Sequence, residues 1–102
     1  MSAAKQKAQK IIDENAVVVF SKSYCPYCRA TKALLNEKHA KYYLLELDEV
    51  ADGSDIQHAL AEITGQKSVP NIFIGQKHIG GNSDLQSKRG ELDGLLQSAG
   101  AI

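Results

Sequence analysis

Val17-Val18-Val19-Phe20, followed shortly by Cys25-Pro26-Tyr27-Cys28, decides how this chain is read. The first run is short, continuous and mostly β-branched, as in a strand buried on both faces. The second opens a helix. Proline suits a first helical turn, because the N–H it lacks would have no intrahelical partner there. The chain holds two cysteines, and both lie in this motif. Thiols at this spacing, where a strand passes into a helix, form the arrangement of a dithiol redox site. The first is placed at the helix N-terminus, where unpaired backbone N–H groups favour thiolate over thiol. The second lies one turn on, close enough to attack a mixed disulfide formed at the first.

Working outward, Ala4, Ala8, Ile11 and Ile12 recur at helical spacing and predict an amphipathic first helix ending near Asn15. In the helix that Pro26 opens, Ala30, Ala33, Leu34 and Lys38 are read as one stripe. Tyr42 to Leu47 reads as a second strand. Strand, helix, strand in this order predicts a right-handed parallel crossover. Ser54 and Gln57 have capping-box spacing ahead of an apolar face of Ile56, Ala59, Leu60 and Ile63, and Gly65 is a left-handed stop. Ile72-Phe73-Ile74 and Lys77-His78-Ile79 are strands joined by a two-residue turn, Gly75-Gln76. Asn82 is read as the cap of a following helix, and Leu92, Leu95, Leu96 and Ala99 predict a last one. The expected fold is α/β, a four-stranded mixed sheet made of a βαβ unit plus a β-hairpin, flanked by helices. A single domain is expected over residues 1–102.

Lys plus Arg and Asp plus Glu are equal at 12 each, so no global field points to nucleic acid or a membrane surface. No stretch approaches the ~20 apolar residues that span a bilayer. The N-terminal residues lack the apolar run of a secretory signal. Two cysteines without such a signal predict a reducing compartment, the cytoplasm, where a disulfide serves catalysis rather than structure.

The pattern resembles the thioredoxin superfamily and, within it, the class I dithiol glutaredoxins. Three segments carry the resemblance: Cys25-Pro26-Tyr27-Cys28, Ser68-Val69-Pro70 before the third strand, and Gly80-Gly81-Asn82-Ser83-Asp84 after the hairpin. It implies a glutathione-dependent thiol–disulfide oxidoreductase. Its substrates would be glutathionylated or disulfide-containing proteins, with glutathione as co-substrate, no tightly bound cofactor and a monomeric chain. Cys25 would be the nucleophile, helped by the charges of Lys22, Arg29 and Lys32, and Cys28 the resolving thiol. The Val69–Pro70 bond would be cis, presenting the backbone of Val69 to the cysteinyl part of glutathione. Lys22 and Gln66 would take the glycyl carboxylate. The helix opened by Ser83 and Asp84 would take the γ-glutamyl carboxylate on its N–H groups, with the Asp84 side chain on the γ-glutamyl ammonium. Tyr27 would be a partly exposed wall beside Cys25. Tyr24, Tyr42 and Tyr43 are assigned to structure.

Two rival readings are weaker. A zinc site needs about four ligands, and His39, His58 and His78 lack ligand spacing. A glutathione-ligated [2Fe–2S] module would use the Cys25 thiolate, but in the family a proline at the position of Pro26 disfavours cluster assembly.

Overall fold

A computed structural model describes residues 2–102. Its elements run α1 (Ala3–Glu14), β1 (Val17–Ser21), α2 (Pro26–Glu37), β2 (Tyr43–Glu46), α3 (Gly53–Thr64), β3 (Asn71–Ile74), β4 (Lys77–Gly80), α4 (Asn82–Ser87) and α5 (Leu92–Ala99). The sheet order is β2-β1-β3-β4. β1 pairs parallel to β2 and antiparallel to β3, and β3 pairs antiparallel to β4. This is the mixed sheet expected from a βαβ unit and a hairpin.

β1 is central, and all five of its residues are buried. Its alternate side chains feed two cores. Val17 and Val19 join Leu34, Leu35, Ile72, Ile74, Leu85, Leu92 and Leu96 on one face. Val18 and Phe20 join Ala8, Ile12, Ile56, Leu60 and Phe73 on the other. Phe20 and Phe73 meet edge to face with ring centroids 6.0 Å apart, a favoured aromatic geometry. A strand covered on both faces has no use for alternation, so its sequence is a continuous apolar run.

Four local expectations are corrected. The buried stripe of α2 is Cys28, Thr31, Leu34 and Leu35, while Ala33 is exposed. Thr31 is fully buried because its hydroxyl donates to Asn82 Oδ1 at 3.0 Å. α3 starts at Gly53 after Asp52, so Ser54 lies inside the helix and is not its cap. The Gln57 amide instead donates to the Lys67 carbonyl at 2.8 Å. Asn82 is likewise inside α4, whose cap is Gly81. Tyr24 and Tyr43 are 63% and 40% exposed, so neither packs in a core. The turn at Gly75-Gln76 is as expected, both residues having positive φ (57° and 65°), as a two-residue hairpin turn of the primed type requires.

The bend between β2 and α3 depends on a close approach that the sequence does not announce. A Cβ at Gly53 would overlap the carbonyl group of Leu47, with the carbonyl carbon at 2.7 Å. Backbone cannot swing aside as a flexible side chain can. Gly53→Ala is therefore expected to cost about 2–3 kcal/mol, as overpacking does in closely packed interiors. Urea unfolding midpoints of wild type and variant measure this, and equal midpoints would refute the close approach.

Candidate active site

The site begins where β1 ends. Cys25 has extended backbone and caps α2, with Pro26 as the first helical residue. The amide of Cys28 donates to Cys25 Sγ at 3.3 Å. Sulfur thus occupies the place of the usual capping oxygen, and a helix-terminal N–H points at it. Cys25 is half-buried, Cys28 is fully buried, and both are free thiols. Burial pushes the Cys28 thiol up from its ordinary value, and its hydrogen bond to Cys25 adds to the rise. Cys28 therefore holds its proton at neutral pH.

Facing the sulfur is the loop before β3. The Val69–Pro70 bond is cis, as the resemblance implied. Cys25 Sγ lies 3.8 Å from the Val69 carbonyl oxygen. Tyr27, Ser68, Val69, Pro70, Gly81, Asn82 and Ser83 line an open groove of about 410 Å³. Tyr27 is 69% exposed and forms one wall. Of the proposed glutathione contacts, Tyr27, Val69, Pro70 and Ser83 are thus brought together. Lys22, Gln66 and Asp84 stand outside this lining.

Each of those three has its own surroundings. One oxygen of Asp84 accepts the Gly81 N–H at 2.9 Å, which closes the turn into α4. Gly80 has φ 121°, and a Cβ there would meet the Asp84 carboxyl carbon at 2.8 Å. Only glycine satisfies both conditions. Lys22 has no carboxylate within ion-pair distance among the described residues. Its charge acts weakly on Asp48. Gln66 spends its side-chain N–H groups on the carbonyls of Ser68 and Pro70, each at 3.0 Å. Of the other cations named for Cys25, Lys32 is neutralised by Glu46 at 3.0 Å, whereas Arg29 is exposed and unpaired among the described residues.

The sequence reading missed Asp48 and Thr31, and it read Asn82 only as a helix cap within the motif at residues 80–84. Asp48 accepts hydrogen bonds from both the amide (3.0 Å) and the hydroxyl of Ser23, anchoring the strand-to-helix loop to the end of β2. The contact joins residues far apart in sequence, and no local spacing signals it. Thr31 and Asn82 link α2 to α4 across the base of the groove, and Gln86 donates to the same Asn82 oxygen at 3.2 Å. Among the described residues, no group of three or more His, Cys, Asp or Glu side chains is placed to hold a metal ion.

A capping cysteine, a buried partner one turn on and a cis-proline loop against the first sulfur define a thioredoxin-like dithiol protein. The comparisons with known proteins narrow the class. The glutaredoxin family model matches residues 17–79. A glutaredoxin of Ricinus communis is 54% identical over 101 residues, covering 97% of this chain and 99% of the relative. Glutaredoxin-C2 of Arabidopsis thaliana is 55% identical over 102 residues, covering 97% and 91%. The crystal structure of a buckwheat glutaredoxin–glutathione complex superposes with a TM-score of 0.93 at 46% identity, covering 97% of this chain and 92% of that one. The chain belongs to the glutaredoxin family.

The Asp48 clamp carries a pH signature. The Ser23 hydroxyl and amide hold the carboxyl of Asp48 below its ordinary value of 3.8. Between the folded and unfolded values the native state binds fewer protons. The stability that Asp48 contributes is therefore complete above about pH 3.8 and is lost as pH falls through the lower folded value. Asp48→Ala is expected to unfold earlier in urea than wild type at neutral pH, and the gap should close in strong acid. A gap of constant size at every pH would show that the carboxylate is not held in this way.

Proposed function

We propose that this chain reduces protein–glutathione mixed disulfides through Cys25, and protein disulfides through Cys25 and Cys28 together, with glutathione as the reductant. The observation that carries the reading is Cys25 Sγ, capped by the Cys28 N–H at 3.3 Å and set 3.8 Å from the Val69 carbonyl beside an open groove. Family membership and the glutathione complex of the buckwheat relative support it.

In the monothiol route, the Cys25 thiolate attacks the glutathione sulfur of a mixed disulfide. A bond forms between Cys25 and glutathione, the bond to the protein sulfur breaks, and the protein leaves as a thiolate that takes a proton. A second glutathione thiolate then attacks the bound glutathione sulfur. Glutathione disulfide leaves and Cys25 is restored. In the dithiol route, Cys25 attacks a protein disulfide. Cys28 loses its proton and attacks Cys25 Sγ, closing the Cys25–Cys28 bridge and freeing the second protein thiol. Two glutathiones then open the bridge. Glutathione is co-substrate throughout, and the mechanism uses no tightly bound cofactor.

In the groove, the backbone of Val69 pairs with the cysteinyl part of glutathione as one strand pairs with another, and Pro70 shapes that edge. Tyr27 covers one side. The N–H groups at Ser83 and Asp84 take the γ-glutamyl carboxylate. The oxygen of Asp84 not used by Gly81 takes the ammonium, and Lys22 takes the glycyl carboxylate. The work suits a monomer in a reducing compartment, the cytoplasm, where glutathione keeps both thiols reduced.

Cys25→Ser should abolish deglutathionylation. Cys28→Ser should keep most of it, because glutathione resolves the intermediate, while losing the internally resolved route on protein disulfides. A live Cys25→Ser with a dead Cys28→Ser would reverse the two roles. Asp84→Asn keeps an acceptor for the Gly81 N–H and removes the charge. It should weaken use of glutathione by roughly an order of magnitude at most, since the pair is exposed. Its reaction with a small uncharged disulfide should hardly change, and equal losses on both would remove the γ-glutamyl subsite.

A further inference from the structure

Family resemblance assigns Gln66 to a substrate carboxylate, but its side chain is already committed. The terminal amide has two N–H donors. One contacts the Ser68 carbonyl at 3.0 Å and the other the Pro70 carbonyl at 3.0 Å. These carbonyls bracket Val69, the residue whose own carbonyl lies 3.8 Å from Cys25 Sγ. What remains free on Gln66 is Oε1, an acceptor, which cannot bind a carboxylate.

The backbone of Gln66 is also held. Its N–H donates to Thr64 Oγ1 at 3.0 Å, and the Thr64 hydroxyl donates to the Leu60 carbonyl at 2.8 Å in the last turn of α3. The same oxygen accepts Asn71 Nδ2 at 3.4 Å. Asn71 is 1% exposed, and its Oδ1 lies 2.9 Å from His78 Nε2 on β4. A connected polar network thus runs from the sheet edge through α3 to the loop facing the nucleophile. The network is part-buried, with Asn71 at its buried end, and connected polar contacts of this kind fix geometry.

We infer that Gln66 is a positioning residue: its amide fixes the Ser68–Pro70 loop and so sets the backbone of Val69 against Cys25, and it is not a ligand of the glycyl carboxylate. This rests on the groove being the place where glutathione pairs with Val69. A loop brace acts on any peptide that pairs with Val69, whatever the charge at its glycyl end. A carboxylate ligand acts only on a substrate that carries the carboxylate.

The test uses the full chain with both cysteines reduced. Gln66→Met keeps the length and removes the donors, and Gln66→Ala removes them without risk of a clash. Single-turnover rate constants are measured with three peptide mixed disulfides: one with glutathione, one with its glycinamide analogue and one with mercaptoethanol. Both variants should lose roughly three- to tenfold on glutathione and on its glycinamide analogue alike, as expected for about two lost hydrogen bonds. A loss confined to glutathione would make Gln66 a carboxylate ligand and overturn the inference. Unchanged rates, even with a lowered melting temperature, would reduce Gln66 to a stabilising residue and overturn it as well. The underlying reading is tested apart from this by wild type: if it reacted no faster with the glutathione mixed disulfide than with the mercaptoethanol one, the glutathione groove itself would be wrong.

Discussion

The contact between the Cys28 amide and Cys25 Sγ, 3.3 Å long, serves two ends at once. It satisfies one of the N–H groups that a helix N-terminus leaves without a partner. It also directs that N–H at the atom which must carry negative charge to react. Serine or aspartate would cap α2 as well, but neither could exchange disulfides. The cap fixes where the sulfur lies, and the groove is built around that point. β1 has to end just before it, and the loop between them is held from outside by Asp48 on Ser23.

The second wall of the groove is tied to the first by polar contacts. Thr31 reaches from inside α2 to Asn82 in α4, so the helix carrying the cysteines and the turn after β4 share a hydrogen bond. A buried hydroxyl is tolerated only when it finds a partner, and leaving it unpartnered costs about 1–3 kcal/mol. Gln66 and Gln57 both hold the loop before β3, one at Ser68 and Pro70 and the other at Lys67. The wall facing Cys25 is thus set by side-chain amides on backbone carbonyls together with the packing of Val69 against the core of Ile56, Leu60 and Phe73.

What was legible in the sequence is what local chemistry decides. β1 was readable because burial on both faces leaves a continuous β-branched run. The hairpin was readable because Gly75-Gln76 is a two-residue turn with a glycine between two short strand candidates, Ile72-Phe73-Ile74 and Lys77-His78-Ile79. Cys25 and Cys28 stood out because their spacing and the flanking elements are all local. The lost readings have partners far away in the chain. Thr31 carries no local signal of its role, because its partner, Asn82, lies 51 residues away. Ser54 had the right spacing to Gln57 for a capping box, but the tight bend at Leu47 and Gly53 starts the helix earlier and frees Gln57 to reach Lys67. Gln66 fitted a carboxylate site by position alone, and only its distances show that both donors are spent.

The burial of Cys28 and its contact with Cys25 link the ionisation of the two thiols. Burial is the main cause of the rise at its thiol, and the Cys25 thiol beside it adds to the rise through a hydrogen bond and through charge. Once Cys25 is joined to glutathione or to a protein, it no longer carries a thiol or a negative charge, and those two contributions disappear. The burial remains, opposed by the hydrogen bonds from Ser21 and from the Lys22 backbone. Cys28 therefore becomes easier to ionise at the stage when it is needed. The state of Cys25 thus acts on the ionisation of Cys28, and the resolving thiol is eased once the nucleophile has been used.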